Sequence, residues 1–134
     1  NFQNIAARAI ETIRGPYDYV FIHIKATDNA SHDHDYEQKV LAIERTDAMV
    51  GSILDAVSGE IVIAVTADHT TPVSVGEHTC DPVPFVLWSD FIRPDSVDKF
   101  SEIDAAKGAL GRIRGMDVTL LLLGYAGYVP KFGS

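Results

Sequence analysis

The sequence has little that would direct the protein to a membrane, to nucleic acid or to an oxidising compartment. It contains one cysteine in 134 residues, which excludes an internal disulfide framework and makes a reducing cytoplasm the expected location. It has no apolar run of the roughly 18 residues that a membrane helix needs. Positive charge is scarce, since 11 Lys and Arg stand against 19 Asp and Glu and leave a net charge of −8. Nucleic acids and anionic membranes are therefore not expected partners.

The remaining composition is that of an ordinary globular protein. Hydrophobic residues make up 46% and charged residues 22%, which is enough apolar material for a packed core. The length suits one domain. The sequence does not begin with methionine, and we expect it to be a piece of something longer.

The spacing of apolar residues predicts helices that alternate with strands. A polar loop is expected over residues 26–34, followed by a helix capped by Asp35. The predicted helices are 2–13, 35–58, 102–110 and 116–125, and the predicted strands are 17–25, 61–67 and 83–89. This order favours parallel strands with helices on both faces of the sheet. Three strands make a thin sheet, so we expect further strands from another segment or chain.

Five residues of the kinds that bind metals fall in three clusters near the ends of predicted strands. Asp28 and His32 follow the first strand, and Asp68 and His69 follow the second, with His78 later in the same loop. Strand ends are where open α/β sheets place their ligand sites. Carboxylates combined with imidazoles suit Zn²⁺, Mn²⁺ or Fe²⁺ better than Ca²⁺, which prefers oxygen ligands. The pattern therefore predicts a metal site.

The number of ligands predicts how many ions share the pocket. Five ligands exceed what one four-coordinate ion needs, yet they are too few for two closed sites. We interpret them as holding two ions with vacant positions for substrate or for ligands from elsewhere. We expect Asp28 and His32 to straddle a loop rather than share a helix. Taken singly, each residue also suits an ordinary turn, cap or surface role.

Several strings resemble the C-terminal part of the archaeal-type cofactor-independent phosphoglycerate mutases, which belong to the alkaline phosphatase superfamily. The resemblance covers residues 17–134 and lies in the order D-x-x-x-H, then D-H, then a later H. The strings are H-I-K-A-T-D-N-A-S-H-D, T-A-D-H-T-T-P-V-S, E-H-T-C-D-P-V-P, G-A-L-G-R-I-R-G and the terminal K-F-G-S. The resemblance implies a three-layer α/β/α fold with a mostly parallel, alkaline-phosphatase-like sheet that is incomplete in this chain.

The resemblance also implies a ligand set and a reaction. Asp28, His32 and His78 would hold one divalent ion, and the adjacent Asp68 and His69 would hold part of a second. The ions would be Mn, Mg or Zn, with no organic cofactor. The reaction would interconvert 2-phosphoglycerate and 3-phosphoglycerate through a phosphoserine intermediate, in glycolysis or gluconeogenesis.

The sequence departs from this family in what it lacks. The nucleophilic serine and the aspartate near the family's N-terminus have no counterpart here, so we assign no catalytic residue to the chain. We expect residues 1–134 to be the C-terminal portion of a metal-binding, phosphatase-like domain, inactive alone and prone to self-association through an open sheet edge. Two alternatives stay open, a metal-dependent phosphohydrolase of the same superfamily and a metal-binding module without catalysis.

Overall fold

The computed structural model describes residues 1–57, 59 and 61–130. The chain divides into two compact units, Asn1–Ser58 with Thr71–Thr79, and Gly59–Thr70 with Cys80–Ser134. The helices and strands in chain order are α1 (Phe2–Ile13), α2 (Ala26–His32), α3 (Tyr36–Val57), β1 (Ile63–Thr66), β2 (Phe85–Trp88), α4 (Glu102–Ala105), a 3-10 turn (Gly115–Asp117) and α5 (Val118–Tyr125). The first unit is helical, and the second contains both strands.

Helix α1 begins and ends where the sequence predicted. The Asn1 side chain accepts a hydrogen bond of 3.0 Å from the backbone N–H of Gln3, which satisfies one of the unpaired donors at the start of the helix. The apolar face packs against α3. At the other end, the Arg14 guanidinium donates a 2.6 Å hydrogen bond to the carbonyl of Ala56, near the end of α3. The two helices are thus joined by packing and by a polar contact.

Helix α3 also follows the prediction, and its cap is the one expected. The Asp35 carboxylate accepts a 2.9 Å hydrogen bond from the backbone N–H of Gln38. The predicted last residue, Ser58, lies outside the described residues. The buried hydrophobic side chains of the described chain all belong to the first unit and are small or flexible; they are Ala6, Ala9, Ala30, Ala42 and Met49. Small side chains let the helix backbones approach closely.

The strand predicted at residues 17–25 is wrong, because this segment adopts neither helix nor strand. Exposure nevertheless alternates along it, with Tyr19 and Phe21 60% and 74% exposed while Ile22 and Ile24 are half-buried. A strand is defined by hydrogen bonds to a neighbouring strand. Within the described residues this segment has no such neighbour, which explains why its strand-like alternation does not form a sheet.

The loop predicted at residues 26–34 is also wrong, since most of it forms α2. Thr, Asp, Asn and Ser have weak helix propensity because their side chains compete for backbone hydrogen bonds. Here the Ser31 hydroxyl donates to the Thr27 carbonyl one turn back, at 3.0 Å, so the competing bond lies within the helix. Ala30 and Ser31 are buried, and α2 packs on α3. Packing between the helices thus outweighs the local propensity.

Strands β1 and β2 lie inside the predicted segments, but they pair antiparallel. Ile63 pairs with Trp88 and Thr66 with Phe85. The prediction of parallel strands is wrong for this pair. A parallel connection needs a crossover, usually a helix, and the connecting residues 67–84, all described, contain no helix. The chain can therefore return directly alongside β1.

The rest of the second unit is built from short turns. Helix α4 ends at Ala105, short of the predicted residue 110. The Asp95 carboxylate accepts hydrogen bonds of 2.9 Å from Val97 N–H and 2.8 Å from Ala109 N–H. These bonds hold the pKa of Asp95 below its ordinary value of 3.8. One side chain thus ties together two ends of an irregular segment.

The last described helix follows the prediction for residues 116–125, with its first turn wound as a 3-10 turn. The Arg114 guanidinium donates to both Asp117 carboxylate oxygens, at 3.1 and 3.0 Å. In the described part of the chain, no helix is long and apolar enough to cross a membrane. The terminal K-F-G-S, residues 131–134, lies outside the described residues.

Candidate metal centre

Helix α2 places Asp28 and His32 on the same face, one turn apart. Asp28 lies in its first turn and His32 in its last. Residues four apart on a helix are neighbours, so the spacing that we expected to straddle a loop is helical spacing. His78 is supplied by the segment Thr71–Thr79 of the same unit. The structure thus brings Asp28, His32 and His78 together.

All three side chains meet at one carboxylate oxygen. The Nε2 atoms of His32 and His78 lie 3.4 and 3.7 Å from Oδ1 of Asp28, and the two rings are 5.3 Å apart at a tilt of 43°. A direct charge-assisted hydrogen bond would be shorter, about 2.7–2.9 Å. Ligand atoms bound tetrahedrally to Zn²⁺ at about 2.0–2.1 Å lie roughly 3.3 Å from one another. Each of the two distances from Asp28 Oδ1 is therefore closer to the spacing of two ligands on one ion than to that of a direct hydrogen bond.

The orientation of His32 is fixed by its other ring nitrogen. Nδ1 lies 2.7 Å from the carbonyl oxygen of Gly76. A carbonyl can only accept, so Nδ1 carries the proton and Nε2 of the neutral ring keeps its lone pair on the side of Asp28. A histidine that donates its second N–H to a carbonyl in this way is typical of metal ligands in proteins.

Asp28 is held in the charged form that a metal ligand requires. Its side chain is 15% exposed, and burial by itself would raise its pKa. Hydrogen bonds from the Thr71 hydroxyl at 3.0 Å and from the Lys25 ammonium at 3.3 Å, with the nearby His32, outweigh this effect. The pKa of Asp28 therefore lies below 3.8. The carboxylate is ionised at neutral pH, and the donor set fits a divalent cation.

The segment that carries His78 is tied to the helices by Lys39. Its ammonium donates to the Ser31 hydroxyl at 2.6 Å and to the Thr71 carbonyl at 2.8 Å. Ser31 is fully buried and Thr71 is 5% exposed. No pattern in the sequence indicates these roles, because Lys39 occurs in an ordinary polar stretch of helix and Thr71 in a threonine-rich loop.

Asp68 and His69 lie side by side in the second unit, after β1. The backbone N–H of His69 donates to Asp68 Oδ1 at 3.1 Å, and His69 Nε2 lies 3.5 Å from Asp68 Oδ2. On a strand, adjacent side chains would point to opposite faces. The turn that follows β1 instead lets both side chains point the same way, so the pair could serve one ion.

Comparison with known protein families identifies the superfamily of this chain. A family model described as the Metalloenzyme superfamily matches residues 1–125, so the chain belongs to that superfamily.

Individual relatives indicate which kind of metalloenzyme this chain is similar to. The chain is 50% identical over its full length to the 2,3-bisphosphoglycerate-independent phosphoglycerate mutase of Sulfurisphaera tokodaii, of which it covers 32%. It is 51% identical over 88% of its length to the mutase of Sulfolobus acidocaldarius, of which it covers 29%. A solved structure of a protein from Pyrococcus horikoshii is 43% identical with a TM-score of 0.93, over all of this chain and 41% of that one. The chain thus spans about a third of its curated relatives, and the resemblance inferred from the motifs is confirmed.

Proposed function

We propose that residues 1–134 are the C-terminal portion of the metal-binding domain of a phosphoglycerate mutase that interconverts 2-phosphoglycerate and 3-phosphoglycerate. The observation that carries the proposal is the convergence of two imidazole nitrogens on one Asp28 oxygen, at 3.4 and 3.7 Å. The reaction is inferred from the names of the relatives. That the chain is only a portion of such an enzyme is inferred from the small share of each relative's length that it matches.

Under this proposal, Asp28, His32 and His78 hold one divalent ion, and Asp68 with His69 supplies part of the site for a second. The remaining ligands of the second ion would come from the rest of the protein. Bound divalent ions supply the positive charge that stabilises a phosphoryl group in transfer. The chain's own contribution is to present two imidazoles and an ionised carboxylate in a fixed arrangement.

The proposal places the nucleophilic serine outside this chain. A phosphoserine intermediate needs a protein hydroxyl to hold the phosphate between the two positions on the substrate. It also places the chain within a larger three-layer α/β/α fold with a mostly parallel, alkaline-phosphatase-like sheet. The match of residues 1–125 to the Metalloenzyme superfamily supports this placement. The single cysteine fits a reducing, cytoplasmic compartment.

Metal analysis tests the assignment of ligands. Three ligands suffice for an ion with an open coordination position, whereas two do not. After dialysis we expect about one tightly bound Mn²⁺ or Zn²⁺ per chain, and loss of most of it in His78→Ala. His23→Ala is the matched control, since His23 is exposed and stacks on Phe21. Full retention of metal by His78→Ala would show that the assignment is wrong.

An enzyme-coupled mutase assay tests the proposed reaction. The 134-residue chain should not interconvert the two phosphoglycerates with Mn²⁺ or Mg²⁺. A protein extended to the length of the relatives should do so, and should lose the activity with Asp28→Ala or His69→Ala. Phosphate release without interconversion would identify a phosphohydrolase instead. Robust turnover by the chain alone would mean that a Ser or Thr within it is the nucleophile.

A further inference from the structure

His34 occupies a backbone position that usually belongs to glycine. It follows the C-terminal residue of α2 by two positions and has a φ of +54°, in the left-handed region. The N–H of Asp35 bonds to the carbonyl of Ala30 at 2.8 Å, and the N–H of His34 bonds to that of Ser31 at 3.1 Å. This pair of bonds is the Schellman motif, in which glycine is favoured at the left-handed residue because a Cβ is disfavoured there.

The side chain of His34 reaches the loop that precedes His78. Its Nδ1 lies 2.7 Å from the carbonyl oxygen of Val73 and donates to it. Its ring lies over Gly76, which is buried and has a φ of +71°. A Cβ at Gly76 would collide with Cε1 and Nε2 of His34. A histidine thus stands where glycine is usual, and the residue it covers is a glycine that leaves room for the ring.

The two histidines at the end of α2 act on the same loop. His32 Nδ1 donates to the carbonyl of Gly76, and His34 Nδ1 donates to the carbonyl of Val73, each at 2.7 Å. The loop residues they hold are three apart, and His78 follows two residues after Gly76. A shift of this loop along α2 would break both bonds and would move the His78 imidazole relative to Asp28.

We propose that His34 is a positioning residue of the metal centre, whose bond to Val73 and packing on Gly76 keep the His78 imidazole at bonding distance from the ion held by Asp28 and His32. The inference rests on the proposed metal site. A purely local role in ending α2 would be served better by glycine. The left-handed backbone at His34 therefore needs a compensating interaction, and the bond to Val73 together with the ring packing supplies it.

Three substitutions separate the backbone role from the positioning role. His34→Gly relaxes the left-handed backbone and removes the donor. His34→Asn tolerates the same backbone region and places an amide nitrogen where Nδ1 stands, so the donor to Val73 is kept. His34→Ala loses both features. Affinity for Co²⁺ is measured in the full chain from its visible absorption, and stability from urea denaturation without metal.

We expect His34→Gly and His34→Ala to weaken Co²⁺ binding by about 10-fold, as loss of a supporting contact around a metal ligand does. His34→Asn should stay within about 3-fold of the unsubstituted chain, since it restores the donor. His34→Gly should unfold at the same urea concentration as the unsubstituted chain or at a higher one, so its loss of affinity would not reflect loss of folding.

Each of the other possible results would show that one particular claim is wrong. Unchanged affinity in His34→Gly would show that His34 does not position the centre, while leaving the proposed function intact. Equal losses in His34→Asn and His34→Gly would show that the bond to Val73 is not the positioning contact, and the proposal would be wrong. Absence of Co²⁺ binding by the unsubstituted chain would overturn the proposed metal site and this inference together.

Discussion

The substitution Gly76→Ala should destabilise the first unit through two separable effects. The first is on the backbone, because Gly76 has a φ of +71°, where an L-residue is disfavoured. The second is on packing, because the new methyl group would occupy the space of the His34 ring. The ring can swing into solvent, since His34 is exposed, but it then gives up its bond to Val73.

The magnitude follows from these two effects. A non-glycine residue in the left-handed region costs about 1–2 kcal/mol. Loss of the 2.7 Å bond from His34 to Val73 costs about 1 kcal/mol. We therefore expect a total loss of roughly 2–3 kcal/mol in the free energy of unfolding. Because the loop shifts, the affinity for Co²⁺ should fall as well.

Gly111→Ala is the matched control for the backbone effect. Gly111 also has a positive φ, of +61°, but among the described residues, its own chain neighbours apart, no atom lies within 4 Å of the position its Cβ would take. Urea denaturation should show a loss of about 1–2 kcal/mol for Gly111→Ala and no change in Co²⁺ affinity. Equal losses of stability for the two substitutions, with Co²⁺ affinity intact in both, would refute the reasoning about the His34 ring.

Three further outcomes are expected. Lys39→Met removes the bonds from the ammonium group to Ser31 and Thr71 and should lower the free energy of unfolding by about 2 kcal/mol; an unchanged denaturation midpoint would contradict this. The exposed Tyr19 and Phe21 should promote association above micromolar concentration, and changing both to serine should reduce it in light scattering; a strictly monomeric unsubstituted chain would count against an open edge. Asp95 has a lowered pKa in the folded state, so its contribution is present at neutral pH and is lost as the pH falls below about 3.9. Asp95→Asn should remove that part of the acid sensitivity in denaturation measured against pH, whereas an identical profile would show that the two backbone bonds do not stabilise the fold.

The elements that could be predicted from the sequence are those whose signals are local. Helix α1 has regular apolar spacing and a polar cap. Helix α3 has Asp35 as its cap and an apolar face that packs on α1. Strands β1 and β2 are short β-branched and aromatic runs. The helices are specified largely by their own residues, and β1 and β2 in addition each have the other as a partner.

The elements that failed depend on partners elsewhere. Residues 17–25 have the composition of a strand, but a strand needs a neighbour. Helix α2 has a loop-like composition and is stabilised by burial of Ala30 and Ser31 against α3. The antiparallel pairing of β1 and β2 depends on the path of the connecting loop, which single residues do not encode.

The residue types of the candidate site could be predicted from the sequence, whereas the contacts that hold those residues in position could not. Asp and His carry their ligand chemistry in the residue type, so Asp28, His32 and His78 could be selected from the sequence. The contacts of Lys39 and His34 include hydrogen bonds to the backbone carbonyls of Thr71 and Val73. Any residue can offer a carbonyl, so such bonds leave no mark in the sequence.

The shortness of α2 has a consequence for the exchange of metal. A helix of 7 residues is far below the length at which an isolated helix is stable in water. An ion bound by Asp28 and His32 would join the first and last turns of this helix, so binding and local folding would be coupled. Unwinding of α2 would separate these two ligands and so would offer one route for release of the ion. Metal binding should in turn slow the exchange of the amide hydrogens of α2.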